Sequence, residues 1–162
     1  MCEAEKRKKR LCFTGHRPEK LHLSEAEVYI VLKNAIDAAI EDGFTTFISG
    51  MARGVDIWAA EIVLEQKKAH SEIRLICALP YPDFEKRWKP AWQKRYAAIL
   101  EKADYVKILC RTFSMESYQR RNEWMVDHSA RVIAIYNGST GGTKKTIDYA
   151  VRRGVKVDVY EA

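Results

Sequence analysis

The chain has 162 residues, of which 31% are charged and 47% hydrophobic, and a formal net charge of +6. That length suits a single domain of ordinary globular composition, and no apolar run approaches the roughly 18 residues that cross a bilayer. The positive excess admits an anionic small molecule or a nucleic acid as partner, though much of it sits in the first ten residues.

The chain opens on Glu5-Lys6-Arg7-Lys8-Lys9-Arg10, read as a solvated basic extension over residues 1–10. Leu11 to Arg17, which follows, is too short and polar for the apolar part of a secretory signal, so a cytoplasmic location is expected. Leu11 to Thr14 reads as the first strand, ended by Gly15. Ser24 and Glu27 form a capping box at the start of a helix. Val28, Val31, Leu32, Ala35, Ile36, Ala39 and Ile40 then recur at helical spacing until Gly43. Thr45 to Ser49 is the second strand, and Gly50 to Gly54 leads into a helix bearing Asp56, Ile57, Ala60, Val63 and Leu64.

Ile73 to Leu79 is the third strand, stopped by Pro80 and Pro82. Phe84 to Lys102 is expected to be helical, with a break or restart at Pro90. Tyr105 to Cys110 makes a fourth strand, and Met115 to Asp127 a loop passing into a helix. Val132 to Tyr136 is the fifth strand, followed by a glycine-rich loop and a helix from Lys144 to Arg153. Val155 to Val159 closes the series. Strands alternating with helices predict an α/β, Rossmann-like three-layer sandwich: a mainly parallel sheet with helices on both faces, one domain over residues 11–162. Cys2, Cys12, Cys77 and Cys110 fit neither a zinc pattern nor a disulfide framework and read as free thiols. His22, His70 and His128 show no ligand spacing, so no metal is expected.

In such a sheet ligands bind beyond the carboxyl ends of the strands, and the unusual segments all fall there. Gly15, His16 and Arg17 follow the first strand; Ser49, Gly50, Arg53, Gly54 and Asp56 follow the second. Arg121 and Asn122 come after the fourth, and Gly141, Gly142 and Thr143 after the fifth. Two of these loops run into helix starts, whose free N–H groups attract phosphate, and Lys144 and Lys145 add charge at one of them. These thirteen residues are the candidate contacts of a phosphate-bearing nucleotide or an ADP-ribose- or NAD-type derivative. A P-loop is excluded because Thr143 separates Gly142 from Lys144, and no G-x-G-x-x-G follows the first strand. Trp88, Trp92 and Tyr96 are spaced to share one helix face among Lys86, Arg87, Lys89, Lys94 and Arg95, which suits either a core or subunit contact or base stacking. The apolar helix faces leave room for a homo-oligomer.

The segments Cys12-Phe13-Thr14-Gly15-His16-Arg17-Pro18, Tyr96 to Val106, Arg121 to Asp127 and Gly141-Gly142-Thr143, together with Trp88, Tyr149 and Ala150, resemble the bacterial YpsA-like family. That family lies in the Rossmann-like superfamily of the DNA-processing protein A (Smf) and Lonely Guy proteins, the SLOG superfamily. Ser49 to Asp56 resembles the Ser-Gly-x-Ala-Arg-Gly-Ile-Asp signature of the DNA-processing relatives. Gly141-Gly142-Thr143 is similar to the end of the Lonely Guy Pro-Gly-Gly-x-Gly-Thr-x-x-Glu motif. The resemblance implies a nucleotide-derived ligand and a non-catalytic sensor or regulator, with a link to bacterial cell division. Thr146 stands where the Lonely Guy catalytic glutamate would be, and a hydroxyl cannot replace that carboxylate. The alternatives are a nucleotide phosphoribohydrolase or other nucleotide-hydrolysing enzyme using Asp56 or Glu123, and a single-stranded DNA-binding accessory protein.

Overall fold

Six strand-forming runs pair edge to edge, all in parallel, and each connection is long enough to carry a helix. In the computed structural model, which describes residues 1–162, the strands are β1 (Arg10–Gly15), β2 (Thr46–Ser49), β3 (Arg74–Leu79), β4 (Tyr105–Ile108), β5 (Arg131–Tyr136) and β6 (Lys156–Glu161). The helices are α1 (Glu3–Arg7), α2 (Glu25–Glu41), α3 (Val55–Ala69), α4 (Pro90–Lys102), α5 (Ser117–Asp127) and α6 (Gly142–Arg152), with a single tight turn at Pro18–Lys20. Their order across the sheet is β4-β3-β2-β1-β5-β6. The chain therefore winds outward from β1 to β4, then crosses back to lay β5 and β6 on the other side of β1. Neighbouring strands β1 and β5 are where the winding reverses, and their registers pair Leu11 with Arg131 through Gly15 with Ile135.

The sheet is all-parallel, and helices cover both faces. One face buries Leu11, Phe13, Phe47 and Leu75 against Leu32, Ile36, Trp58 and Val63 of α2 and α3. The other buries Cys12, Ile48 and Val132 against Met125 of α5 and Ala150 of α6. Alternate residues of β1 thus serve opposite cores, as the pleat requires. Buried on both sides, β1 has no solvated face, which is why its sequence runs apolar rather than alternating.

Local chemistry sets the element ends. At α2, Glu27 N–H donates to Ser24 Oγ at 3.2 Å while Ser24 N–H donates to Glu27 Oε2 at 2.8 Å, the capping box its sequence spells. The helix expected over 84–102 begins only at Pro90, and residues 84–88 form turns. Proline at the first helical position lacks the donor that would otherwise go unpaired, and it holds Lys89 extended. The fourth strand stops at Ile108, two residues short of Cys110; there Leu109 and Cys110 donate instead to Leu79 and Pro80 carbonyls.

Residues 1–10 are not a plain solvated tail. Residues 3–7 make one helical turn, Arg10 pairs with Glu3, and Arg7 Nε donates to Ser129 O at 3.0 Å. Cys12 and Cys77 are buried free thiols whose pKa values are pushed up to about 12, chiefly by burial. Cys2 is exposed and Cys110 half-buried. No helix is long and apolar enough to cross a membrane.

Candidate functional site

The loops leaving β1 and β5 head for opposite faces of the sheet, so a crevice opens between the carboxyl ends of these strands. It is a cleft of about 380 Å³. Of the residues singled out in the sequence, Gly15, His16, Arg17, Arg53, Asp56, Arg121, Asn122, Gly142 and Thr143 line it. Ser49, Gly50, Gly54 and Gly141 do not line it; they shape the loops that do.

The first two loops close on each other. A Cβ on Gly15 would stand 2.6 Å from the Val55 side chain. One on Gly54, whose φ is +90°, would stand 2.9 Å from the His16 carbonyl oxygen. Both positions therefore need glycine for the packing of the two loops against each other. Buried Ser49 donates its hydroxyl to the Asp56 carbonyl at 2.8 Å and accepts Met51 N–H at 3.1 Å, fixing the turn into α3.

At the floor, Asp56 and Arg121 are both buried. Asp56 Oδ2 accepts Ala52 N–H at 3.3 Å, whereas Oδ1 has no partner. Arg121 donates to the Gly50 carbonyl and, through Nε, to Asn122 Oδ1 at 2.8 Å. A Cβ on Gly50 would lie 2.9 Å from Asp56 Oδ2 and 3.0 Å from Arg121 Cζ, so the missing side chain is what lets these groups approach. Burial raises the Asp56 pKa from 3.8 to about 6, and the Arg121 charge and the Ala52 N–H oppose the rise. Burial also lowers the Arg121 pKa, against the charge of Asp56.

His16 is buried, its ring stacked on Tyr136 at 5.5 Å, and its Nε2 is unpartnered. Burial, with the nearby Lys20 charge second, lowers its pKa, so the ring is neutral at pH 7. At the opposite wall α6 begins at Gly142 after Gly141, whose φ is +139° and which offers no side-chain cap. The first amides of α6 are thus left without intrahelical acceptors, beside buried Thr143. Arg17, Lys20, Arg53 and Arg121 outnumber Asp56, the one carboxylate in the lining. Arg53 is partly neutralised by Glu19 at 2.6 Å.

Several expectations are corrected. Lys144 does not line the cleft; it pairs with Asp148 at 2.8 Å along α6. Glu123 also lies outside the lining, its carboxylate accepting from Gln119 Nε2 at 3.0 Å. Thr146 is buried and donates to the Gly142 carbonyl at 2.9 Å. Trp88, Trp92 and Tyr96 do not share a helix face: Trp92 leans on Trp58, Tyr96 is core, and Trp88 lies in the turns before α4 and lines the cleft with Phe84. Arg95 is held by Glu61 at 2.6 Å and Glu25 at 3.0 Å. Lys20, Phe84 and the cleft position of Trp88 lie outside the loops that the sequence singles out, whereas Tyr118 opens the one that carries Arg121 and Asn122. The break at Pro90 was the one signal that could have placed Trp88 outside the helix. No group of three histidine, cysteine or carboxylate side chains is set to hold a metal.

The family model YpsA, described as the YspA SLOG family, matches residues 11–160. The chain is 35% identical over 136 residues to an uncharacterized SPbeta prophage-derived protein, YoqJ, of Bacillus subtilis (strain 168), covering 74% of this chain and 80% of that one. It is 26% identical over 160 residues to a UPF0398 protein of Bacillus thuringiensis (strain Al Hakam), covering 94% and 87%. Among solved structures it is similar to DNA processing protein A from Helicobacter pylori, with a TM-score of 0.65 at 18% identity over 97% of this chain and 66% of that one. The same protein from Streptococcus pneumoniae gives a TM-score of 0.61 at 16% identity, over 95% and 50%. At these identities the structures establish the shared fold.

Proposed function

We propose that this chain, which belongs to the YpsA SLOG family, binds a nucleotide or nucleotide-derived ligand in the cleft between β1 and β5 and acts as a sensor rather than a catalyst. The observation that carries the reading is the pairing of two unpartnered buried polar atoms, Asp56 Oδ1 and His16 Nε2, with a cationic rim and an uncapped helix start in one cleft. The helix start and the Arg17 and Lys20 cations suit a phosphate. A carboxylate oxygen suits a hydroxyl or N–H donor of a ribose or base, and a neutral imidazole nitrogen pairs with a donor or an acceptor according to its tautomer. A bare anion would leave the Asp56 oxygen unsatisfied, so a ligand bearing both a phosphate and a hydrogen-bond donor fits best.

The lack of a glutamate at Thr146, with Asp56 as the only acid in the lining, argues for binding without turnover. Calorimetric titration with AMP, ADP-ribose and NAD tests this. At least one is expected to bind saturably, and Arg17→Ala with Lys20→Ala, both exposed, to weaken it by about tenfold or more, the size of a lost charge-assisted hydrogen bond. No binding of any of them at millimolar concentration overturns the reading. Release of free base or phosphate that is lost in Asp56→Asn would make the protein an enzyme instead.

A second reading is favoured by Trp88 and Tyr118 in the cleft wall beside Arg17 and Arg53. Aromatic faces among cations suit single-stranded nucleic acid, and the solved Helicobacter pylori structure is described by a single-stranded DNA binding mode. Arg95 cannot contribute, being held by two glutamates. Affinity for an oligonucleotide that exceeds that for every mononucleotide, and that falls steeply with salt, would put this reading first.

A further inference from the structure

An aromatic wall runs out of the cleft and ends on the surface. Trp88 and Phe84, both in the lining, meet edge to face at 5.2 Å. Phe84 meets Tyr81 at 6.2 Å, and Tyr81 meets both Tyr118 at 5.8 Å and Phe113 at 5.4 Å, again edge to face. The hydroxyls of Tyr81 and Tyr118 are 3.0 Å apart, which locks the middle of the row. Phe113 is 58% exposed and Met115 beside it 84%.

An exposed phenyl ring on a mobile loop would carry no meaning, but this one is pinned. Ser117 is buried, its hydroxyl accepts Ser114 N–H at 2.9 Å, and Ser117 N–H donates to the Ser114 carbonyl at 3.2 Å. The turn that follows Phe113 is therefore hydrogen-bonded in place, and the Phe113 ring packs edge to face on Tyr81. Cations stand at the cleft end of the row: Arg17 lines the cleft where its charge acts on Tyr118, and the Arg121 guanidinium lies 5.8 Å from the centre of the Tyr118 ring. An exposed ring on a hydrogen-bonded turn, two aromatic contacts beyond the cleft wall by way of Tyr81, matches the requirements for stacking a planar base joined by phosphate to a group in the cleft.

We infer that Phe113 forms a second stacking subsite, so that the ligand carries two planar rings joined through phosphate rather than one. This rests on the nucleotide reading of the cleft. The shared chemistry is two bases bridged by phosphate, and it has two sources: a pyrophosphate-linked dinucleotide such as NAD, or a phosphodiester-linked one such as pApA.

Calorimetry on the full chain separates them. Each two-ring ligand is paired with a one-ring counterpart: NAD with ADP-ribose, and pApA with AMP. In one pair or the other the two-ring member is expected to bind about tenfold more tightly, the size of a base stacked on an aromatic ring. Phe113→Ala is expected to erase that gain while leaving AMP affinity unchanged, and Phe113→Trp to keep it. The pair that shows the gain identifies the linkage. Equal affinities within both pairs, or a gain that survives Phe113→Ala, overturns the inference while AMP binding leaves the cleft reading standing. Failure of all four to bind at millimolar concentration removes both.

Discussion

Asp56 is ionised at a cost. Burial sets its pKa near 6 in the folded chain, against 3.8 when exposed. Between those values the folded state holds more protons than the unfolded state. Stability contributed by this residue therefore falls as pH rises from about 4 to about 6, and stays reduced above. The full effect is on the order of 3 kcal/mol. Glu19 and Asp104, whose pKa values are lowered, act in the opposite direction, losing stability as pH falls. A comparison with Asp56→Asn isolates the one residue: melting temperatures measured from pH 4 to 7 are expected to decline relative to the variant as pH rises. Parallel profiles would show that Asp56 is not buried as described. The cost is of the kind met at sites where a ligand donor completes an unpaired oxygen, and the unpartnered Oδ1 is where such a donor would sit.

The start of α3 shows how elements hold the site. Gly54 precedes it in a left-handed conformation and seats it under the His16 carbonyl, and Gly15 leaves room for Val55 from the other side. Gly54→Ala is expected to destabilise the protein by about 1–3 kcal/mol in urea unfolding, through overpacking and backbone strain. The same change should weaken nucleotide binding, because the Ala52–Asp56 turn would shift. A variant as stable as the parent would refute this account of the two loops. Most elements were legible for stated reasons: the Ser24–Glu27 box marked α2, and apolar runs bounded by glycine and proline marked the inner strands. The α1 turn was not, because its contacts run outside it, from Arg7 to Ser129 and from Glu3 to Arg10, and five residues have no helical periodicity. Trp88 was misplaced for a related reason. Its spacing to Trp92 and Tyr96 is helical, but Pro90 starts the helix after it, and position rather than spacing decides what it touches. The roles of Ser49, Gly50 and Gly54 were equally hidden, since a glycine that admits a ligand and one that admits a neighbouring loop look alike in sequence.

At the scale of the molecule, the reversal of winding at β1 and β5 decides everything downstream. It brings Gly15 to Arg17 and Gly142–Thr143, more than a hundred residues apart, to one edge, while the basic first ten residues lie at the amino ends of the same strands. Charge is thus divided between two ends, and at the carboxyl end unpartnered buried polar atoms lie beside a helix start. Amide shifts followed by NMR during an AMP titration locate binding directly. The expected shifts cluster at Gly15–Arg17, Ala52–Asp56, Asn122 and Gly142–Thr143. Shifts confined instead to Lys9, Thr45 and Arg74, at the other end of the sheet, or no shifts at millimolar AMP, ADP-ribose or NAD, would contradict the account.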